Sequence, residues 1–183
     1  MKKILSLCFM LVIVLASCSS TETSTPEADM TLELKSDAFA NGQSIPAKYS
    51  CIGRNISPGL AWSDPPAGTQ SFALIVDDPD APMGTWVHWV LYNIPADSRG
   101  LAEDLPVTGK NVDPNAIYFG RNSSGKTRYD GPCPPSGTHR YFFKLYALDT
   151  IIDLLPGAAK DELLREMQGH ILAQGELMGT FSK

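Results

Sequence analysis

Residues 71–95, SFALIVDDPDAPMGTWVHWVLYNIP, contain two apolar runs separated by a corner rich in proline and aspartate. The runs Phe72–Val76 and Trp86–Tyr92 are short and almost continuously apolar, which predicts two strands covered on both faces. Pro79 and Pro82 fix the backbone φ angle within the corner and remove two amide donors. We therefore expect two neighbouring strands joined by a stiff turn.

Polar side chains are concentrated at this corner. Asp77, Asp78 and Asp80 lie at or beside it, and His88 lies inside the second apolar run. A buried imidazole must find a hydrogen-bond partner or remain neutral. We therefore expect the three acids and the histidine to form the floor of a pocket at one end of the sheet.

The remaining pattern indicates a mainly β fold. Alternation or short apolar runs predict strands at residues 30–35, 45–51, 60–62, 116–121, 139–148 and 175–181. One helix is expected over residues 158–173, where Leu163, Leu164, Met167 and Ile171 form an apolar stripe. Many short strands with proline and glycine turns and one late helix favour a two-sheet antiparallel β-sandwich.

A second polar corner, DGPCPPSG, spans residues 130–137. The period of two along a strand places His139 and Tyr141 on the same face directly after it. If this strand is a neighbour of the first two, both histidines and the phenol meet in one cavity. Imidazole, phenol and glycine amide groups together could hold a small oxyanion such as phosphate. His170, on the expected helix, is predicted to be a surface or packing residue.

The same side chains leave other functions open. Asp78, Asp80, His88 and His139 suit a divalent metal ion, as in a metal-assisted phosphoesterase, and a histidine could be a general base. The sequence contains neither G-x-S-x-G nor H-E-x-x-H. Cys133 is the one candidate nucleophile, and a disulfide would remove it. We expect a binding protein without catalytic residue, metal or cofactor; polar groups satisfied within a core are the alternative.

The N-terminus indicates export to a membrane. A basic start and a short apolar run predict that residues 1–17 are a lipoprotein signal peptide, too short to span a bilayer. Leu-Ala-Ser-Cys at residues 15–18 resembles a bacterial lipobox, in which Cys18 is lipidated. Residues 18–29 are small or polar and predict a flexible tether, and residues 30–183 can form one domain. The expected location is the bacterial cell envelope; an ordinary signal peptide with an incidental Cys18 is the alternative.

The net charge of the chain argues against one class of binding partner. The chain has 15 basic and 20 acidic residues and a formal net charge of −5, which disfavours binding to nucleic acid.

Two of the four cysteines are expected to remain free to form a disulfide. Cys8 would leave with the signal peptide and Cys18 would carry lipid. Cys51 and Cys133 would remain in an oxidising compartment, where a disulfide is expected and two separate buried thiols are the alternative.

Three motifs resemble the phosphatidylethanolamine-binding protein family, most closely its bacterial Raf-kinase-inhibitor-like branch. They are DPDAP at residues 78–82, WVH at residues 86–88 and GPCPPSGTHRY at residues 131–141. The resemblance covers the whole expected domain and implies a β-sandwich with an anion pocket at one end. By motif, the residues implied to line it are Asp78, Asp80, Trp86, His88, Gly131, Pro134, His139 and Tyr141.

The resemblance implies that the pocket binds a phosphate-type anion or phosphorylated head group, without known catalysis. Eukaryotic members regulate kinases or inhibit a carboxypeptidase, which keeps a protein partner and an inhibitor function open here. The chain departs from animal members at Met83-Gly84-Thr85, where they have a longer corner with a pocket tyrosine. Asn122-Ser-Ser124 also lacks an aromatic residue that bacterial relatives often carry. These departures imply a more open pocket mouth. The sequence leaves a homodimer open.

Overall fold

The computed structural model describes residues 30–107 and 116–183. The signal peptide and lipidated tether expected over residues 1–29 lie outside this part, as do residues 108–115 of the connection after the second strand. Within the described residues, no helix is long and apolar enough to cross a membrane.

The described chain forms two β-sheets and one short helix. In chain order the elements are β1 (Met30–Thr31), β2 (Leu34–Lys35), a 3-10 turn (Ala47–Tyr49), β3 (Leu60–Trp62), β4 (Ser71–Asp78), β5 (Trp86–Pro95), β6 (Gly100–Leu101), β7 (Tyr118–Phe119), β8 (Thr138–Leu148), α1 (Lys160–Glu166) and β9 (Ile171–Ser182). The large sheet has the order β1-β9-β8-β4-β5-β7, and the small sheet has the order β2-β3-β6. Neighbouring strands are antiparallel except for the short β1–β9 pair. The predicted β-sandwich is confirmed.

Strand β4 occupies the centre of the large sheet and is buried along its whole length. Phe72, Leu74 and Val76 belong to the core between the two sheets, while Ala73 and Ile75 face a second apolar cluster that includes Leu163 of α1. Both faces of β4 are therefore covered by apolar side chains, and the alternation expected for a half-solvated strand disappears. This explains why the first run of residues 71–95 is apolar at successive positions.

The predicted helix is correct only at its start. Helix α1 ends at Glu166, and the chain turns through Gly169, whose φ of +80° lies in the left-handed region that glycine adopts readily. Residues 171–182 then form β9, which pairs with β8 along almost its whole length. The spacing of Leu163, Met167 and Ile171 fits a helix, but Ile171 belongs to the strand. The prediction for residues 167–173 is wrong because pairing with β8 determines this segment.

Three shorter predictions also need correction. The strand predicted over residues 30–35 is divided into β1 and β2, which join different sheets. Residues 45–51 contain a 3-10 turn, entered through Pro46, instead of a strand. The strand predicted at residues 116–121 contracts to the two residues of β7. Short segments at sheet edges are set by the surface they cover, which the local sequence does not contain.

Candidate functional site

A cavity of about 400 Å³ opens at the end of the large sheet where β4, β5 and β8 meet the loops before and after them. It is lined by six of the eight residues predicted from the motifs, namely Asp78, Trp86, His88, Gly131, Pro134 and His139. The structure thus brings both expected histidines to one hollow. Their part in binding a ligand remains a prediction.

His139 is fixed at the cavity by a buried carboxylate. Its side chain lies on the inner face of β8, as the period of two predicts, and Nδ1 is 2.7 Å from Oδ2 of Asp78. The other oxygen of Asp78 accepts the backbone N–H of Asp80 at 2.8 Å. Because an ionised carboxylate only accepts, Nδ1 carries a proton. Nε2, which has no hydrogen-bond partner among the described residues, remains available to a ligand.

His88 reaches the cavity through a β-bulge. Asp77 pairs with Val87 and Val76 pairs with Trp89, so His88 is an extra residue between two paired positions. Regular alternation from Trp89, a core residue, would place His88 on the opposite face of the sheet. A bulge places two residues of one strand opposite one of its partner and re-aims a side chain. The sequence does not reveal this device.

The environment of His88 favours a neutral ring. Nδ1 donates a hydrogen bond to the backbone carbonyl of Asp130 at 2.6 Å, which assigns the proton to this nitrogen. Burial lowers the pKa of His88 below its usual 6.5, and the Asp130 carbonyl and the negative charge of Asp78 oppose this effect only in part. At neutral pH Nε2 therefore carries a lone pair and accepts rather than donates a hydrogen bond.

Tyr141 lies beneath the floor of the cavity instead of lining it. Its ring packs edge-on against His88, with 5.2 Å between the ring centroids, and the residue is almost completely buried. Its hydroxyl has no hydrogen-bond partner of normal geometry in the described part of the chain. Burial, followed by the charge of Asp78, raises the pKa of Tyr141 above its usual value, so the phenol stays neutral. Tyr141 therefore supports His88 by packing.

The far wall of the cavity is attached to the rest of the protein by a disulfide. Cys51 and Cys133 are bonded, with 5.4 Å between their Cα atoms, which confirms the expected bridge. Beside it, the backbone N–H of Cys51 donates to the carbonyl of Pro132 at 3.1 Å. Cys133 is therefore not a free nucleophile. Both cysteines line the cavity, a position that the sequence did not reveal.

Gly131 allows this wall to approach closely. Its N–H donates to Oδ1 of Asn55 at 2.7 Å, and Asn55 itself adopts a left-handed conformation with φ of 56°. A Cβ atom at position 131 would lie 2.1 Å from the carbonyl oxygen of Tyr49, which real structures do not tolerate. Glycine is needed here for space, in agreement with its place in the motif.

Two of the three acids at the first corner do not line the cavity. Asp77, expected at the floor of the pocket, lies on the opposite face of β4 and forms ion pairs with Lys144 and Lys160. Period two separates it from Asp78, so this part of the expectation is wrong. Asp80 forms a bidentate ion pair with Arg140, which lowers the pKa of Asp80 to about 2.

The cavity also contains polar residues outside the set of eight predicted to line it. Lys126 lines the mouth, and its ammonium group is 3.0 Å from Oδ2 of Asp130. Asn55 and Ser124 also line it, and of these two the motifs placed only Ser124 near the pocket mouth. All three come from loops whose course depends on tertiary contacts, and no periodicity marks them. His170 lies outside the cavity and pairs with Asp149.

Comparisons with known proteins agree with the fold and the motifs. Residues 35–182 match the family model described as phosphatidylethanolamine-binding protein. A protein of Methanothermobacter thermautotrophicus named UPF0098 protein is 51% identical over 152 residues, which cover 83% of this chain and 99% of that protein. Another protein of that name, from Aquifex aeolicus, is 46% identical over 155 residues, covering 83% of this chain and 89% of that one.

Two solved structures with the same fold have titles that name the phosphatidylethanolamine-binding protein (PEBP) family. The crystal structure of the homologue CT736 from Chlamydia trachomatis has a TM-score of 0.76 and 42% identity, covering 84% of this chain and 98% of that chain. The structure of YbcL from E. coli, titled a new member of the mammalian PEBP family, has a TM-score of 0.75 and 31% identity. It covers 83% of this chain and 98% of that chain.

Proposed function

Since the chain belongs to the phosphatidylethanolamine-binding protein family, we propose that its cavity binds a small phosphate-type anion or a phosphorylated head group without converting it. One observation carries this proposal: two imidazoles border one cavity, and each is fixed through Nδ1. Nε2 of each ring therefore remains for a ligand. Two rings held in this way could each form a hydrogen bond to a different oxygen of one small anion.

Protons are part of the proposed binding. A neutral ring whose Nδ1 is protonated offers only a lone pair at Nε2, which repels an anion oxygen. Uptake of a proton by at least one ring converts Nε2 into a charged donor, and charge-assisted hydrogen bonds are stronger than neutral ones. At His88 the hydrogen bond to the Asp130 carbonyl and the negative charge of Asp78 favour such a cation. Lys126 lies at the mouth, where its ammonium group is paired with the carboxylate of Asp130.

The acids at the corner favour anion binding over a metal-assisted phosphoesterase. Both oxygens of Asp78 already accept hydrogen bonds, and both oxygens of Asp80 contact Arg140. Residues 30–107 and 116–183 contain no group of three or more histidine, cysteine or acidic side chains arranged to hold a metal ion. In the same residues, the Ser124 hydroxyl at the cavity forms no hydrogen bond to either imidazole. We therefore propose a binding protein rather than an enzyme.

The proposed function is tested by titrating the full chain, kept in detergent, with inorganic phosphate and phosphoethanolamine in a calorimeter. His139→Gln should weaken binding about tenfold or more, because a hydrogen bond to a charged group contributes roughly 1.5–3 kcal/mol. His170→Gln is the matched control, since His170 has a similar 2.7 Å contact with Asp149 away from the cavity, and it should bind like the parent chain. Equal heats from the parent chain and His139→Gln would remove the cavity as the site.

We also propose that the chain is exported and held at a membrane by lipid on Cys18. The lipobox-like residues 15–18 and the polar tether after them support this. When cells that express the chain are grown with labelled palmitate, the chain should carry the label and should sediment with membranes. Cys18→Ser should lose the label and Ser20→Ala should retain it. Label on both variants, or on neither the parent chain nor its variants, would contradict the lipid attachment.

A further inference from the structure

The disulfide in the cavity wall suggests a means of regulation. Cys51 and Cys133 both line the cavity, and both are exposed to solvent. We propose that this disulfide is a redox-sensitive latch, so that a dithiol reductant opens it and the affinity of the cavity for phosphate-type anions falls. This inference rests on the proposed function and adds redox regulation of anion binding to it.

The wall segment, defined as residues 130–135, has few contacts with residues 51–55 apart from the disulfide. Pro132, Pro134 and Pro135 lack an amide N–H, so the segment cannot form a ladder of backbone bonds. It belongs to no described strand or helix. Besides the disulfide, two hydrogen bonds join it to residues 51–55, from Cys51 to Pro132 and from Gly131 to Asn55.

The wall segment also controls how His88 presents itself. The carbonyl of Asp130 holds Nδ1 of His88, and the N–H of Asp130 donates to the carbonyl of His88 at 3.1 Å. Asp130 lies three residues before Cys133. Gly131, which follows Asp130, and Pro134, which follows Cys133, both line the cavity. Movement of the segment would release the ring and change the shape of the wall. The disulfide therefore stabilises the orientation of a group that we propose contacts the anion.

The covalent link joins two segments that are distant in sequence. Cys51 and Cys133 are separated by 82 residues, and breaking the bond would leave the two hydrogen bonds from Cys51 to Pro132 and from Gly131 to Asn55 to hold the two segments together. The sandwich core, formed by residues such as Phe72, Leu74 and Phe143, does not include either cysteine. We therefore expect reduction to loosen the wall of the cavity while the sheets remain folded.

The reaction is thiol–disulfide exchange with a dithiol. One thiolate of the reductant attacks the Sγ atom of one cysteine, the S–S bond breaks, and the other cysteine leaves as a thiolate that takes up a proton. The second thiol of the reductant then attacks the mixed disulfide. The products are two protein thiols and the oxidised, disulfide form of the reductant. Cys51 and Cys133 are both exposed residues at the cavity wall, where a small dithiol can approach.

The test compares oxidised and reduced full-length chain. Protein is treated with dithiothreitol without oxygen, the gain of two thiols is counted with a thiol-reactive dye, and phosphate affinity is measured by calorimetry. Reduction should weaken phosphate binding about tenfold, the effect of losing one charge-assisted hydrogen bond. Reoxidation should restore it. The double variant Cys51→Ser, Cys133→Ser is the control; it should bind weakly and should not respond to dithiothreitol.

The outcomes separate the latch from the proposed function. Equal phosphate affinity before and after a confirmed gain of two thiols would overturn the latch and leave the anion site intact. Failure of the oxidised chain to bind phosphate would overturn the proposed function, and the latch with it. Loss of the β-sheet circular dichroism signal on reduction would show that the disulfide holds the whole domain together, which also overturns a local latch.

Discussion

At the residue scale, two histidine–aspartate pairs have the same geometry and different surroundings. The Nδ1–Oδ distance is 2.7 Å in both, but the His139 and Asp78 side chains are 9% and 5% exposed, whereas those of His170 and Asp149 are 46% and 44% exposed. Water competes for an exposed hydrogen bond, so the His170–Asp149 contact contributes little to stability, whereas the buried His139–Asp78 contact fixes the orientation of its ring. Only the buried pair is placed to position a ligand group.

The pKa of His88 gives a prediction about pH. Burial lowers this pKa, so the free protein holds a neutral ring at neutral pH, and an anion must draw a proton to Nε2. Sulfate affinity should therefore increase as pH falls from neutral, and the binding heat should depend on the ionisation enthalpy of the buffer. Sulfate is the probe because it does not titrate in this range.

A second consequence of the same pKa concerns stability. The unfolded chain binds this proton more tightly than the folded chain, so the contribution of neutral His88 to stability is present above its unfolded pKa and is lost as pH falls. Sulfate should offset part of that loss by binding the protonated form. Sulfate binding whose heat is the same in all buffers would contradict proton uptake.

Asp80 tests the distinction between residues at the cavity and residues beside it. The motif predicts Asp80 as a pocket residue, but its carboxylate is engaged by Arg140 at the exposed end of β8. Asp80→Asn should therefore change phosphate affinity by less than about threefold, a difference below 1 kcal/mol. Calorimetry beside His139→Gln provides the comparison. A loss of tenfold or more would show that Asp80 contacts the ligand or positions Asp78.

The motifs predicted six of the eight expected cavity residues, whereas strand parity predicts only which face of a regular strand a residue occupies. His139 and Tyr141 share a face because both lie on one regular strand. The same rule, applied to Asp77 and Asp78, would have excluded Asp77 from the cavity. His88 could not be placed by parity, since the bulge that turns it inward depends on pairing between β4 and β5.

At the element scale, the wall segment is held against residues 49–55 at very short range. Gly131→Ala would bring a Cβ atom to within 2.1 Å of the Tyr49 carbonyl oxygen, so the backbone must move. We expect this substitution to reduce phosphate affinity and to destabilise the protein by about 1–3 kcal/mol, as overpacking commonly does. Urea unfolding and calorimetry measure the two effects.

Gly59→Ala is the control for this substitution. A Cβ atom at Gly59 would meet its nearest neighbour, the backbone N of Glu103, at the ordinary distance of 3.5 Å. This variant should keep both stability and affinity close to those of the parent chain. Unchanged phosphate binding in Gly131→Ala would show that the wall segment does not shape the site.

The central strands and β3 could be predicted from sequence, whereas the division into β1 and β2, the length of β7 and the end of α1 could not. β4, β5 and β8 are long and rich in β-branched and aromatic residues, so their composition alone marks them as strands. The spacing of Leu163, Met167 and Ile171 predicts a helix in the segment after α1, but that segment pairs with β8, and this long-range pairing is not visible in the local sequence. The disulfide could be expected from the two exported cysteines, but its position in the cavity wall required the fold.

At the scale of the whole molecule, the sandwich brings distant segments to one end. β4 is hydrogen-bonded to both β5 and β8, so Asp78, His88 and His139 meet there although they lie in three separate motifs. The apolar core between the sheets fixes these strands, and the loops complete the cavity. No short motif encodes the pairing of these strands. It is this pairing that brings the residues of the two proline-rich corners together at one cavity.

The central claim is that His88 and His139 bind the same anion. NMR of the imidazole nitrogens tests this claim most directly. The chain has three histidines, so the Nε2 signals can be assigned with one substitution each. Titration of the full chain with phosphate at constant pH should shift the signals of His88 and His139 with one shared dissociation constant and leave His170 unchanged. A shift of only one pocket histidine, or equal shifts of all three, would contradict the claim.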